Sequence, residues 1–157
     1  MSLIERITHF GDAKVWYGNM PLESLYTVGI AGEKFFRAMK DQGVIVGSVC
    51  PACSLTYVPP MLYCERCFAQ MEEWVEVGSS GTVYTYTVLG VSLEDRPLEE
   101  PEILALIKIE DVHGGLVHKL GEVKPEEVEI GLAVEAVFRP QKEREGSILD
   151  IRYFKPV

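Results

Sequence analysis

The sequence predicts a mainly β protein with N-terminal helices, in which a small metal-held ribbon leads into a five-stranded barrel. Three observations predict it. Two Cys-x-x-Cys pairs stand ten residues apart, five β-type runs follow Gly78, and the clearest helical pattern lies before Gly43. The expected division is a helical segment over 1–43, a zinc ribbon over 44–77 and an OB-fold over 78–157.

Pro21 to Lys40 reads as helical, because Phe35, Ala38 and Met39 fall on one face at i, i+3 and i+4 while Lys34, Arg37 and Asp41 fall elsewhere. Gly43, just past the last turn, is the expected stop. Val44 to Val49 then runs into Cys50-Pro51-Ala52-Cys53, and Tyr57-Val58-Pro59-Pro60 runs into Cys64-Glu65-Arg66-Cys67, so each pair is expected at the tip of a hairpin, with Trp74 closing the ribbon. Two such knuckles place four thiolates around one ion at about 2.3 Å. Two disulfides and free core cysteines are the competing readings.

With Cys50, Cys53, Cys64 and Cys67 all ligating, no coordination position stays open, so the metal is expected to be structural. It replaces a hydrophobic core too small to hold the segment. A tetrathiolate also suits iron. In rubredoxin-like knuckles, however, a glycine usually follows the second cysteine, and here Ser54 and Phe68 stand there. That departure favours Zn2+ over a redox iron centre.

Gly78-Ser79-Ser80-Gly81 is a turn-rich junction. After it, Thr82 to Leu89 alternates, with Val83, Thr85 and Thr87 on one face and Tyr84, Tyr86 and Val88 on the other. Ile103 to Ile109, Leu116 to Val123, Leu132 to Phe138 and Ile148 to Phe154 supply four more strands, and Asp111 to Gly115 a hairpin turn. Five strands without a strong helix point to the OB-fold. Ser92 to Pro101 is acidic and contains Pro97 and Pro101, so a loop is expected there.

The composition narrows the function. The formal charge is −9, and from Gly78 onward nine Lys and Arg stand against fifteen Asp and Glu. That sign opposes phosphate-backbone binding. Met1 to Phe10 lacks the basic start and long apolar core of a secretory signal, and no apolar run approaches the roughly 20 residues that span a bilayer. A soluble cytoplasmic protein is expected. His9, His113 and His118 are scattered and read as solvated or hydrogen-bonded surface residues, Gly78 to Gly81 is no nucleophile elbow, and Glu126, Glu127 and Glu129 read as a solvated turn. No catalytic set assembles from these residues.

Gly29-Ile30-Ala31-Gly32 leading to Lys34-Phe35-Phe36, the two cysteine pairs with Tyr57-Val58-Pro59-Pro60 between them, Trp74, and Gly81-Thr82-Val83 recur in one order. With Pro101, Gly131 and Phe154, they resemble an archaeal and bacterial family catalogued as domain of unknown function number thirty-five. The resemblance covers most of the chain. It implies a rubredoxin-like zinc ribbon joined to an OB-fold, serving as a non-catalytic, acyl-CoA-associated accessory subunit of thiolase-like enzymes. In archaea these include acetoacetyl-CoA thiolase and hydroxymethylglutaryl-CoA synthase.

A CoA ligand needs local cations on an acidic chain. Lys34, Arg37 and Lys40, beside Phe35 and Phe36, form the nearest cluster, suited to phosphate and adenine respectively. A solvated basic helix face over an aromatic core is the plainer account of the same residues. The runner-up function is single-stranded nucleic-acid binding with Tyr84 and Tyr86 as a stacking platform, which the acidic barrel opposes.

Overall fold

The structure, a computed structural model, describes Gly11, residues 26–92 and residues 96–157. Among the described residues there is one α-helix, α1 (Gly29–Asp41). Tyr26 to Val28 precede it outside the helix, so it begins later than the pattern from Pro21 implies, and residues 21–25 of the expected helix lie outside the described residues. Phe35 and Met39 are buried as expected. The Gly43 amide donates to the carbonyls of Ala38 and Met39, both at 3.0 Å, and its φ of +75° is the left-handed turn that ends a helix.

The ribbon consists of β1 (Ile45–Val49), β2 (Thr56–Val58) and β3 (Glu73–Val77). β1 lies between the other two, paired from Ile45 opposite Val77 to Val49 opposite Glu73. A two-residue strand, β6 (His113–Gly114), joins β2 in parallel. The expected hairpin turn of the barrel is therefore also the fourth strand of the ribbon sheet.

β4 (Ser80–Val91), β5 (Pro97–Ile109), β7 (Leu116–Leu120), β8 (Ala133–Phe138) and β9 (Ile151–Pro156) close a barrel in the order β4-β5-β7-β9-β8. Its interior is filled by Val83, Ile103, Ile107, Val134, Ile151 and Phe154 among others, and the same cluster takes in Phe35 and Met39 of α1 with Ile45 and Val58 of the ribbon. One apolar core thus joins helix, ribbon base and barrel.

Four strand expectations change. A bulge between Val83 and Thr85 adds a residue to β4, so strict alternation stops at Tyr84. Tyr84 is 62% exposed, whereas Tyr86 packs against the core. Tyr86 is therefore partly withdrawn from the exposed surface that the stacking platform needs. Pro97 and Pro101 lie within β5, not in a loop, and Pro97 pairs opposite Val91. Proline is accommodated because β7 joins β5 only from Ile103 onward, leaving the earlier residues on an edge. Finally, Ile148–Asp150 is a 3-10 turn preceding β9, and β7 ends at Leu120, short of Val123.

Candidate metal centre and the cavity beside the helix

Each knuckle is a tight reversal closed by backbone bonds. Ser54 donates to the Cys50 carbonyl and Cys50 to that of Leu55, at 2.9 and 2.8 Å; Phe68 donates to Cys64 and Cys64 to Ala69, both at 2.9 Å. This geometry needs a left-handed residue after the second cysteine. Ser54 (φ 55°) and Phe68 (φ 59°) adopt it despite carrying a Cβ. The missing glycines change the strain of the knuckles and leave their shape intact.

The knuckles bring the Sγ atoms of Cys50, Cys53, Cys64 and Cys67 within 4.8 Å of one another. Tetrahedral Zn–S bonds of about 2.3 Å require sulfurs about 3.8 Å apart, so the donor set fits one such ion. Cys50 and Cys64 are buried, Cys53 is half-buried and Cys67 is exposed. The Cys53 amide donates to Cys50 Sγ at 3.3 Å, and the Tyr57 hydroxyl lies 3.3 Å from Cys64 Sγ.

That hydroxyl lowers the Cys64 thiol to about 6, and the same bond raises the Tyr57 hydroxyl above its ordinary value. Contact with Cys67 pushes Cys53 up to about 12. Four thiols this close cannot all ionise against one another, and a divalent cation supplies the compensating charge. Tyr57 is a partner of the site that the cysteine spacing alone does not mark. Its signal was its position in the strand between the knuckles, where alternation turns it toward the sulfurs.

Behind the metal centre, Cys50, Tyr57, Cys64 and Met71 are the ribbon's own buried cluster. Ser48, also buried, accepts a bond from the Met61 amide at 2.9 Å and so ties the two hairpins together.

An open cavity of about 490 Å³ lies between α1 and the segment before β9, lined by Phe36, Arg37, Lys40, Gly146 and Ile148 among others. Three of the five candidate ligand residues meet there: Phe36, Arg37 and Lys40. Phe35 is turned into the core at 3% exposure, and Lys34 is exposed outside the cavity wall. Arg37 is already engaged with Glu33 at 2.5 Å. The loop wall is shaped by Asp150, whose carboxylate accepts the amides of Glu145, Gly146 and Ser147 at 2.8, 2.7 and 3.3 Å. Burial alone would raise that carboxyl; the three donors outweigh it and hold it below its ordinary value. Those amides are therefore spent inside the fold.

Of the histidines, His9 lies outside the described residues. His113 sits in β6 with its ring 5.6 Å from that of Tyr57. His118 differs from the surface expectation: it is 6% exposed on β7, with Nε2 3.2 Å from the Ile148 carbonyl. Burial lowers its pKa.

Two family models match in tandem: "ChsH2, rubredoxin-like zinc ribbon domain" over residues 37–72 and "ChsH2, C-terminal OB-fold domain" over residues 74–139. A "DUF35 domain-containing scaffold protein" of Methanocaldococcus jannaschii is 33% identical over 125 residues, covering 78% of this chain and 88% of the relative. The chain belongs to the DUF35 family. Scaffold proteins of the same description from Pyrococcus furiosus and Methanothermobacter thermautotrophicus are 28% and 25% identical, over 79% and 77% of this chain and 91% and 92% of theirs.

Two solved DUF35 structures share the fold. One, from Sulfolobus solfataricus and described as of unknown function, has 30% identity and a TM-score of 0.63, covering 83% of this chain and 85% of its own. The other, a chain of the "Ltp2-ChsH2(DUF35) aldolase", has 25% identity and a TM-score of 0.62, covering 84% and 98%. The zinc-ribbon match contains all four cysteines and begins at Arg37, so of the cavity wall on α1 it includes Arg37 and Lys40. No helix among the described residues is long and apolar enough to cross a membrane.

Proposed function

We propose that this chain is a non-catalytic scaffold subunit that docks onto a thiolase-like enzyme of acyl-CoA metabolism, hydroxymethylglutaryl-CoA synthase included, and steadies its own ribbon with a structural zinc. The observation that carries the reading is the tandem ribbon and barrel shared with relatives described as scaffold proteins and with a chain of an aldolase.

Cys50, Cys53, Cys64 and Cys67 would hold the zinc, which when bound supplies charge compensation and cross-linking to a segment with four residues in its own buried cluster. The cavity beside α1 supports an acyl-CoA contact, because it sets an aromatic face, Phe36, beside two cations, Arg37 and Lys40. For Arg37 to grip a phosphate it must leave Glu33, an exchange that costs little on an exposed helix.

The test is gentle purification of the tagged chain from its native host, with the stoichiometric companions identified by mass spectrometry, followed by CoA-binding calorimetry on the complex. A thiolase-like enzyme in equal amount, and CoA affinity that drops about tenfold in Lys40→Glu, support the reading. Nucleic acid as the companion, or acyl-CoA turnover by the chain alone at enzyme-like rates, overturns it.

A further inference from the structure

β4 and β5 run beyond the barrel as a two-stranded arm. β4 pairs with β8 only over Ser80, Gly81 and Thr82, with Val83 bonded to Gly131 and Leu132 just before β8. β5 meets β7 only from Ile103 onward. Past Val83, Thr85 to Val88 of β4 pair with Leu106 to Ile103 of β5, and only the tip residues Leu89 and Val91 oppose Glu102 and Pro97; among the described residues no further strand lies on the outer side of β4 beyond Val83 or of β5 before Ile103.

The two outer edges are built in opposite ways. That of β5 carries Pro97 and Pro101, which lack an N–H, together with Glu99, Glu100 and Glu102, and both devices stop another strand from adding. That of β4 carries neither. Its twelve residues, Ser80 to Val91, contain no proline and no charge, in a chain of which 25% of residues are charged. β-Branched and aromatic residues dominate it, and Tyr84, Val88 and Val91 are 62%, 42% and 52% exposed. In an antiparallel ladder alternate residues aim both N–H and C=O away from the partner strand. Among the described residues the outer side of β4 is therefore a row of unpaired donors and acceptors, with exposed apolar side chains along the strand.

We propose that the outer edge of β4, from Tyr84 to Val91, docks an extended segment of the partner enzyme as an added strand, one with alternating apolar side chains and Lys or Arg at its flanks. Charge selects this occupant. The neighbouring strand β5 carries Glu99, Glu100 and Glu102, and Glu102 already attracts Lys119 at 2.7 Å. A second copy of a chain with net charge −9 brings like charge, whereas a basic-flanked strand is drawn in. Backbone bonds would supply affinity, and the alternate side chains specificity. The proposal rests on the scaffold reading only for the identity of the partner.

Amide exchange and chemical shifts of the full metal-loaded chain would be followed by NMR, with a synthetic Lys-Thr-Val-Thr-Val-Thr-Lys peptide as probe. The expected result is slowed exchange and shifts confined to residues 84–91, binding about tenfold weaker when glutamates replace the flanking lysines, and loss of both effects in Val88→Lys or Val91→Lys. Edge amides already protected in the free monomer, a dimer formed through this edge, or peptide shifts elsewhere overturn the proposal. The same variants are then mixed with the co-purified enzyme. Equal binding of wild type and Val88→Lys removes the docking edge and leaves the scaffold reading. An enzyme that binds neither, while the peptide still seats on β4, does the reverse.

Discussion

The ribbon and the barrel meet along one sheet yet are stabilised by different chemistry. The barrel closes five strands around a continuous apolar interior that includes Ile107, Val134, Ile151 and Phe154. Beyond the residues it lends to that interior, the ribbon buries Cys50, Tyr57, Cys64 and Met71, and two of these are sulfurs of the candidate metal site. The barrel is held by area removed from water, and with zinc bound the ribbon would be held by coordination, so perturbations of the two should separate.

The largest separation is expected from the metal. Structural zinc contributes about 10–16 kcal/mol to folding in isolated zinc fingers. Cys64→Ser should abolish stoichiometric zinc, measured by elemental analysis, and erase the ribbon's amide dispersion while barrel resonances persist. Phe154→Ala reverses the pattern, costing about 3–5 kcal/mol in the barrel by denaturant titration while the zinc content of the folded fraction is unchanged.

Gly114 tests the joint between the two. Its φ is +95°, and a Cβ there would lie 2.1 Å from the Val58 carbonyl oxygen across the β2–β6 pair. Gly114→Ala should therefore cost about 2 kcal/mol or more and let ribbon and barrel melt as two transitions in calorimetry. A smaller effect of opposite sign is expected at Phe68, which holds a left-handed backbone at 79% exposure. Phe68→Gly relieves roughly 1 kcal/mol, raising the ribbon's midpoint and leaving the barrel's alone.

The smallest effect is pH dependence in the barrel. Burial lowers the His118 pKa, so the unfolded chain binds its proton first as pH falls. Stability from this group is full above the unfolded value of about 6.5 and declines as pH falls through it toward the folded value. The Asp150 carboxyl, also depressed, adds stability that is full above its unfolded value and is lost only in stronger acid. Melting temperatures across mildly acidic pH should slope less in His118→Gln than in wild type.

Legibility in the sequence followed locality. The cysteine spacing, the Phe35 and Met39 face, the Gly43 stop and the five strands all arise from contacts within one element or one turn, so periodicity and spacing recorded them. What stayed hidden was set by distant partners. The bulge at Tyr84 depends on how β4 meets β5, and the tolerance of Pro97 depends on where β7 stops. His118 is buried because the 3-10 turn at Ile148 covers it, thirty residues along the chain. In the candidate cavity, the pattern placed Phe36, Arg37 and Lys40 on one helix, but the opposing wall at Gly146 and Ile148 is supplied by a turn that Asp150 shapes from β9's threshold.

The central claim, that coordination holds the ribbon and burial holds the barrel, is tested most directly by residue-resolved hydrogen exchange on the full chain before and after a strong chelator. Metal removal is expected to bring fast exchange to residues 45–77, while β5, β7, β8 and β9 keep most of their protection. Protection lost together across both regions, or unchanged in the ribbon once the metal is gone, would contradict it.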